Sequence, residues 1–107
     1  MIHFYSRKDK LQRYDNGNII RTGQVINNLN EGLWTWYYKN GKVQIQGNFV
    51  NGKREGTWKT YDSLGNLIIE SNYKKNLLSG IYKQYSSSGK LLRNDVYKDD
   101  IIIKSNP

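Results

Sequence analysis

The sequence predicts an all-β protein: a single-layer antiparallel β-meander of about eight strands, made from about four β-hairpin repeats of 24 residues. Three observations lead there. Glycines and aromatics recur at a fixed step, turn dipeptides separate strand-like runs, and the apolar content lies mostly in rings.

The step comes first because it fixes the rest. Gly32, Gly56 and Gly80 are 24 residues apart, and so are Trp34, Trp58 and Tyr82. Tyr37, Tyr61 and Tyr85 keep the same register, as do Gly41, Gly65 and Gly89, and Phe49, Tyr73 and Tyr97. Gly17 and Gly23 continue two glycine rows backwards. The repeats fall at approximately 8–31, 32–55, 56–79 and 80–103 of a single domain, 1–107. Repetition of this kind predicts an elongated sheet in which each hairpin packs on its neighbours.

Each repeat holds two strands and two turns. "DNGN", "KNGK", "SLGN" and "SSGK" are expected to form tight two-residue turns on one edge. "NNLNEG", "NGKREG" and "KNLLSG" are expected to be longer connections on the other. With Asn40 and Gly41 as the turn, Trp36 faces Ile45, Trp34 faces Gly47 and Gly32 faces Phe49. One repeat later Trp58 faces Ser71, Gly56 faces Tyr73, and Lys59 faces Glu70 as a favourable charge pair. Large rings thus oppose glycine or a small residue, which predicts that the glycines seat the rings. Tyr37, Tyr61 and Tyr85 are expected on the opposite face, beside Gln44, Ile68 and Leu92, with a bulge as the alternative.

The end units depart from the pattern. Lys8, Lys10 and Arg13 stand in the Gly, Trp and Tyr rows of the first, and Asp95 replaces a glycine in the last. "HFY" and "IIIK" are expected to be partial strands that cover the open edges.

Composition agrees with a thin fold. Hydrophobic residues make up 36%, mean hydropathy is −0.82 and aromatics are 13%, too few aliphatic residues for a dense two-layer core. With no cysteine there is neither a disulfide framework nor a thiolate site. The absence of an apolar leader in "MIHFYSRKDK" and of any membrane-length stretch gives the expectation of a soluble intracellular, cytoplasmic protein. The net charge of +8 favours acidic partners, or is a lysine-rich solvated surface.

No residues assemble into catalytic chemistry. His3 stands alone near the start and is expected on an edge strand. Asp99 and Asp100 read as turn formers, and Glu31 and Glu55 as a turn role that recurs. "SSSGK" superficially matches a phosphate loop, but that loop must lead into a helix, and here it is a hairpin turn. The expectation is a non-enzyme without cofactor or metal.

The pattern G-x-W-x-x-Y…N-G-x…G-x-F-x-N-G-K-x-x-G-x-W resembles the MORN repeat, and more closely the MORN variant of bacterial antitoxin-like and immunity-like proteins. The resemblance spans roughly residues 8 to 100. It implies a non-catalytic binding module built as one curved sheet, and for function it points to scaffolds, lipid-associated proteins and antitoxins alike.

Rows shared by all repeats read as structure, so a binding site is expected where repeats differ. Trp36, Thr60 and Gln84 form one such row, and Tyr38, Asp62 and Ser86 another. Trp36 and Tyr38, with Trp34, are the candidate aromatic anchors; the alternative is that they cover the thinnest part of the sheet. Lys53, Arg54, Lys74 and Lys75, followed by Lys98, form a candidate basic ladder, or ordinary protection of a sheet edge.

The expected partner is a cognate protein, a toxin neutralised by direct binding and occlusion, with an acidic or mixed-charge surface because a basic one would be repelled. A basic membrane or phospholipid binder, or a scaffold, is the alternative; lysines on both edges count against the former. A single-stranded nucleic acid could stack on the rings, but they occupy packing rows. No small-molecule substrate is expected, and a homodimer through an edge or face is compatible with each reading.

Overall fold

A computed structural model of the chain describes residues 2–4, of which only the backbone is considered, and 12–106. Among the described residues, ten strand segments lie in one antiparallel sheet: β1 (Ile2–Phe4), β2 (Arg21–Ile26), β3 (Leu29–Tyr37), β4 (Val43–Val50), β5 (Lys53–Tyr61), β6 (Leu67–Lys74), β7 (Leu77–Leu78), β8 (Gly80–Tyr85), β9 (Leu91–Lys98) and β10 (Ile101–Asn106). Each pairs with its neighbour in sequence, and β7 and β8 share the place beside β6. The molecule measures 47 × 32 × 13 Å. A second packed sheet would need about 10 Å more in the thin direction, so there is one layer.

The hairpin register is the expected one. Trp36 pairs with Ile45, Trp34 with Gly47 and Gly32 with Phe49. Trp58 pairs with Ser71, Gly56 with Tyr73 and Lys59 with Glu70. β1, which contains His3 and Phe4 of "HFY", and β10, which contains "IIIK", cover the two edges as expected; Tyr5 lies outside the described residues. Lys8 and Lys10 lie outside the described residues.

The turns reverse the expectation. The edge carrying Asn27–Asn28, Asn51–Gly52, Lys75–Asn76 and Asp99–Asp100 has the two-residue turns, closed by the pairs Ile26–Leu29, Val50–Lys53, Lys74–Leu77 and Lys98–Ile101. Both central residues of each have positive φ, which matches the twist of a hairpin. "KNGK" instead belongs to a three-residue loop. Gly41 N–H donates to the Tyr38 carbonyl at 2.9 Å, and Tyr38 N–H to the Lys42 carbonyl at 2.8 Å. Only Gly41 is left-handed there, with φ +89°. The loops at Tyr14–Asn18, Asp62–Asn66 and Ser86–Lys90 repeat both bonds.

Beyond each three-residue loop one residue is extra: Tyr37 pairs with Val43, Tyr61 with Leu67 and Tyr85 with Leu91, so Gln44, Ile68 and Leu92 form bulges. The tyrosines therefore sit beside Val43, Leu67 and Leu91 rather than the residues first expected.

A second irregularity explains the ring seats. Gly23 alone faces Gly32, Leu33 and Trp34, and Gly47 alone faces Gly56, Thr57 and Trp58. A Cβ at Gly23 would penetrate the Trp34 ring, and one at Gly47 the Trp58 ring. The seats are real, but each ring leans onto the preceding hairpin, away from its partner within its own hairpin. Gly32 and Gly56 are not seats. An added Cβ at either would meet nothing within 4 Å; they are glycine because φ is +70° and +76°. The core is correspondingly small: Trp34 and Trp58 are 2% and 6% exposed. Their indole N–H groups donate to the carbonyls of Gln24 and Asn48 at 3.1 and 3.2 Å, so burying them strands no donor.

Candidate binding face

Residues alternate between the two faces of a strand, so Trp34 and Trp36 emerge together. Trp36 lies 5.7 Å from Trp34, 6.2 Å from Phe49 and 6.0 Å from Trp58, centroid to centroid. Phe49 meets Trp58 edge-on at 5.0 Å, and Trp58 meets Tyr73 at 6.2 Å. The result is a continuous run of rings across β3 to β6. Trp34 and Trp58 are its floor. Trp36 is only half-buried and flanks a shallow hollow of about 310 Å³ lined by Gln44, Ile45, Phe49, Arg54 and Trp58 as well.

Arg54 supplies the charge at this hollow. Its guanidinium lies 4.2 Å from the Tyr73 ring centroid. Its Nε donates to Asn76 Oδ1 at 2.6 Å and its Nη2 to the Asn76 carbonyl at 3.3 Å. Ring and amide hold the cation in place, with Nη1 left for an acceptor from outside. Arg54 is thus a preorganised cation beside an apolar surface, a combination found at energetically dominant interface positions.

The other candidates separate. Tyr38 stands on the edge of three-residue loops, where its hydroxyl donates to the Tyr61 carbonyl at 2.6 Å and ties adjacent hairpins. Lys53, Lys74 and Lys75 lie exposed at the two-residue-turn edge with Lys98. Exposed Leu29, Val50, Leu77 and Ile101 flank the same turns, so this edge is basic and apolar together. Glu31 and Glu55 serve the turns: their carboxylates accept the N–H of Asn51 at 2.6 Å and of Lys75 at 3.4 Å.

Sequence reasoning missed Gln44, Ile45 and Phe49 as lining residues. Phe49 belongs to a fixed row and was read as packing alone. Gln44 reaches this face through its bulge, which no residue type announces. The opposite face carries polar pairs, Gln46 Nε2 donating to Thr35 Oγ1 and Thr57 Oγ1 to Asn72 Oδ1, each at 2.8 Å, beside exposed Leu33 and Ile81.

A hairpin repeated at a fixed step into one open sheet, with its aromatics in register, defines a β-hairpin repeat protein of the MORN class. The MORN repeat variant family matches residues 30–51, 54–75 and 78–99. The chain belongs to that family. The first hairpin is outside the match, although its loop has the same geometry as the others. No curated protein matches the chain.

Proposed function

We propose that the chain is a non-catalytic, cytoplasmic immunity or antitoxin protein that binds a cognate toxin through the aromatic face and blocks it by occlusion. The observation that carries this reading is the hollow beside Trp36, at a position where the other repeats use Thr60 and Gln84. Packing does not require an indole there, since equivalent hairpins form without one. MORN repeats serve in general as protein- or membrane-binding modules, in keeping with a surface of this kind. A rigid ring beside a fixed guanidinium suits a partner that offers an apolar side chain next to a carboxylate, and the +8 charge favours an acidic or mixed-charge toxin.

One observation favours a second reading, the basic membrane binder. Lys53, Lys74, Lys75 and Lys98 share an edge with exposed Leu29, Val50, Leu77 and Ile101, which is the mixture an anionic lipid surface attracts.

Affinity capture from nuclease-treated source lysate, at low salt and at roughly 0.5 M salt where exposed charges are screened, separates the two. The toxin reading expects one stoichiometric protein retained at high salt and lost with Trp36→Ala. Retention of anionic lipid alone, released by salt, replaces it with the membrane reading.

A further inference from the structure

The hairpins are stitched together along the three-residue loops, and the stitching lapses at one place. Tyr14 Oη donates to the Tyr37 carbonyl and Asn16 Nδ2 to the Lys39 carbonyl, both at 2.7 Å. One repeat later Tyr38 Oη donates to the Tyr61 carbonyl at 2.6 Å and Asn40 Nδ2 to the Ser63 carbonyl at 2.7 Å. The next two positions hold Asp62 and Leu64. An ionised carboxylate only accepts and leucine has no polar group, so neither can donate to the carbonyls of Tyr85 and Ser87 that continue the series. Leu64 points to solvent, 75% exposed. Asp62 closes its own loop: Oδ1 accepts the N–H of Leu64 at 3.0 Å and of Asn66 at 2.9 Å, and Oδ2 accepts Asn66 Nδ2 at 3.2 Å.

Where the rungs lapse the surface opens into a cleft of about 310 Å³, lined by Asn66, Leu67, Tyr85, Ser87, Ser88 and Gly89. Its acceptors are the Tyr85 and Ser87 carbonyls that lack their rung and the Asn66 side-chain oxygen, with Asp62 beside it on the third loop; the Ser87 and Ser88 hydroxyls are engaged by Asp62 and by Ser86 Oγ. The backbone N–H of Asn66 holds the Asp62 carboxyl below its ordinary value; burial opposes it, and the Asn66 side-chain amide, the Leu64 N–H and the Ser87 hydroxyl add to the lowering. Asp62 therefore carries a full negative charge at neutral pH.

An acceptor-rich cleft calls for a group that only donates. An ammonium presents its donors around a point, whereas a guanidinium presents five N–H groups in a plane and can bridge two carbonyls while lying on a ring. We propose that the cleft between the third and fourth three-residue loops binds a guanidinium group, supplied by an arginine side chain of a partner protein. That arginine completes the rungs that Tyr38 and Asn40 provide one repeat earlier. The chain's positive charge opposes any cation at long range, Lys90 closes the fourth loop, and Lys42 of the second loop reaches beside Gly65 of the third. Screening within about 8 Å at physiological salt leaves the choice to the local acceptors. The site stands independently of the aromatic face.

The test is an amide NMR titration of the whole chain with Nα-acetyl-arginine amide, beside the same titration with Nα-acetyl-lysine amide. The control variant, Asp62→Tyr with Leu64→Asn, transplants the second loop's solution onto the third. The introduced amide can also cap the loop, as Asn40 Oδ1 accepts the Lys42 N–H at 2.9 Å. The proposal expects saturable shifts at Asn66, Ser87, Ser88 and Gly89, at least tenfold weaker binding of the lysine compound, and loss of the site in the variant together with a higher melting midpoint. Leu64→Asn alone, which restores one rung, should weaken binding at least threefold. Absent shifts in the parent chain, equal binding of both compounds, or undiminished binding in a folded variant would overturn it.

Discussion

Gly47 and Gly56 are both glycine for reasons that a substitution separates. At Gly47 a Cβ would enter the Trp58 ring, which the Trp36, Phe49 and Tyr73 rings and the bond from its N–H to the Asn48 carbonyl keep from moving aside. Gly47→Ala should therefore cost about 3 kcal/mol, the upper end for overpacking a tight site. At Gly56 there is space, and only the left-handed backbone objects, so Gly56→Ala should cost about 1–2 kcal/mol. Urea unfolding of the two variants checks the order. The chain also shows how a larger seat is accommodated: one repeat later the equivalent positions are Ser71 and Tyr82, a larger seat with a smaller ring. Gly47→Ser should accordingly be less harmful with Trp58→Tyr than alone. The existence of seats was legible from the spacing of glycines and rings. Which ring used which seat was not, because pairing within a hairpin says nothing about a ring that leans across the boundary between hairpins. Asp95 shows the same limit. It stands in the seat row yet is 1% exposed, held by Arg93 Nη2 at 2.8 Å and Ser105 Oγ at 2.7 Å. Nothing in the spacing pairs it with β10.

At the scale of the element, the turn edges were transposed because Asn-Gly occurs on both. Asn51–Gly52 closes a two-residue turn, whereas in "KNGK" only the glycine is left-handed. The sequence did contain the discriminating residue. A two-residue turn at "SLGN" would place Leu64 at positive φ, a conformation that leucine strongly disfavours. Asn27–Asn28 and Asp99–Asp100, by contrast, tolerate it at both positions. Lys75, at φ +49°, is the least suited residue on the two-residue edge. Lys75→Asn should stabilise the chain by about 0.5–1 kcal/mol, in line with relief of a left-handed position, while keeping the N–H that donates to Glu55. Thermal unfolding checks it; unchanged or lower stability would mean that the turn does not limit the sheet. The bulges at Gln44, Ile68 and Leu92 follow from the three-residue loops, so one misplaced turn residue accounts for the shifted tyrosine partners.

At the scale of the whole molecule, the described residues form one layer in which each hairpin meets its neighbours, with the buried indoles of Trp34 and Trp58 in place of a core. Stability in such an array is close to a sum of repeat and interface contributions. Differences between repeats can then serve recognition without unmaking the fold. The variable rows named Trp36, and the structure surrounds it with Phe49, Ile45 and the fixed cation of Arg54. The hollow itself could not be read from the sequence, because it needs both the bulge that brings Gln44 to this face and the turn that pins Arg54 to Asn76. The most direct measurement is the dissociation constant of the captured partner for the parent chain and for Trp36→Thr, the residue that the next repeat carries at this position. Binding by the aromatic face predicts a loss of at least about thirtyfold, the roughly 2 kcal/mol of a dominant contact, with the melting midpoint little changed. An affinity within threefold of the parent's, on an equally folded variant, would contradict it.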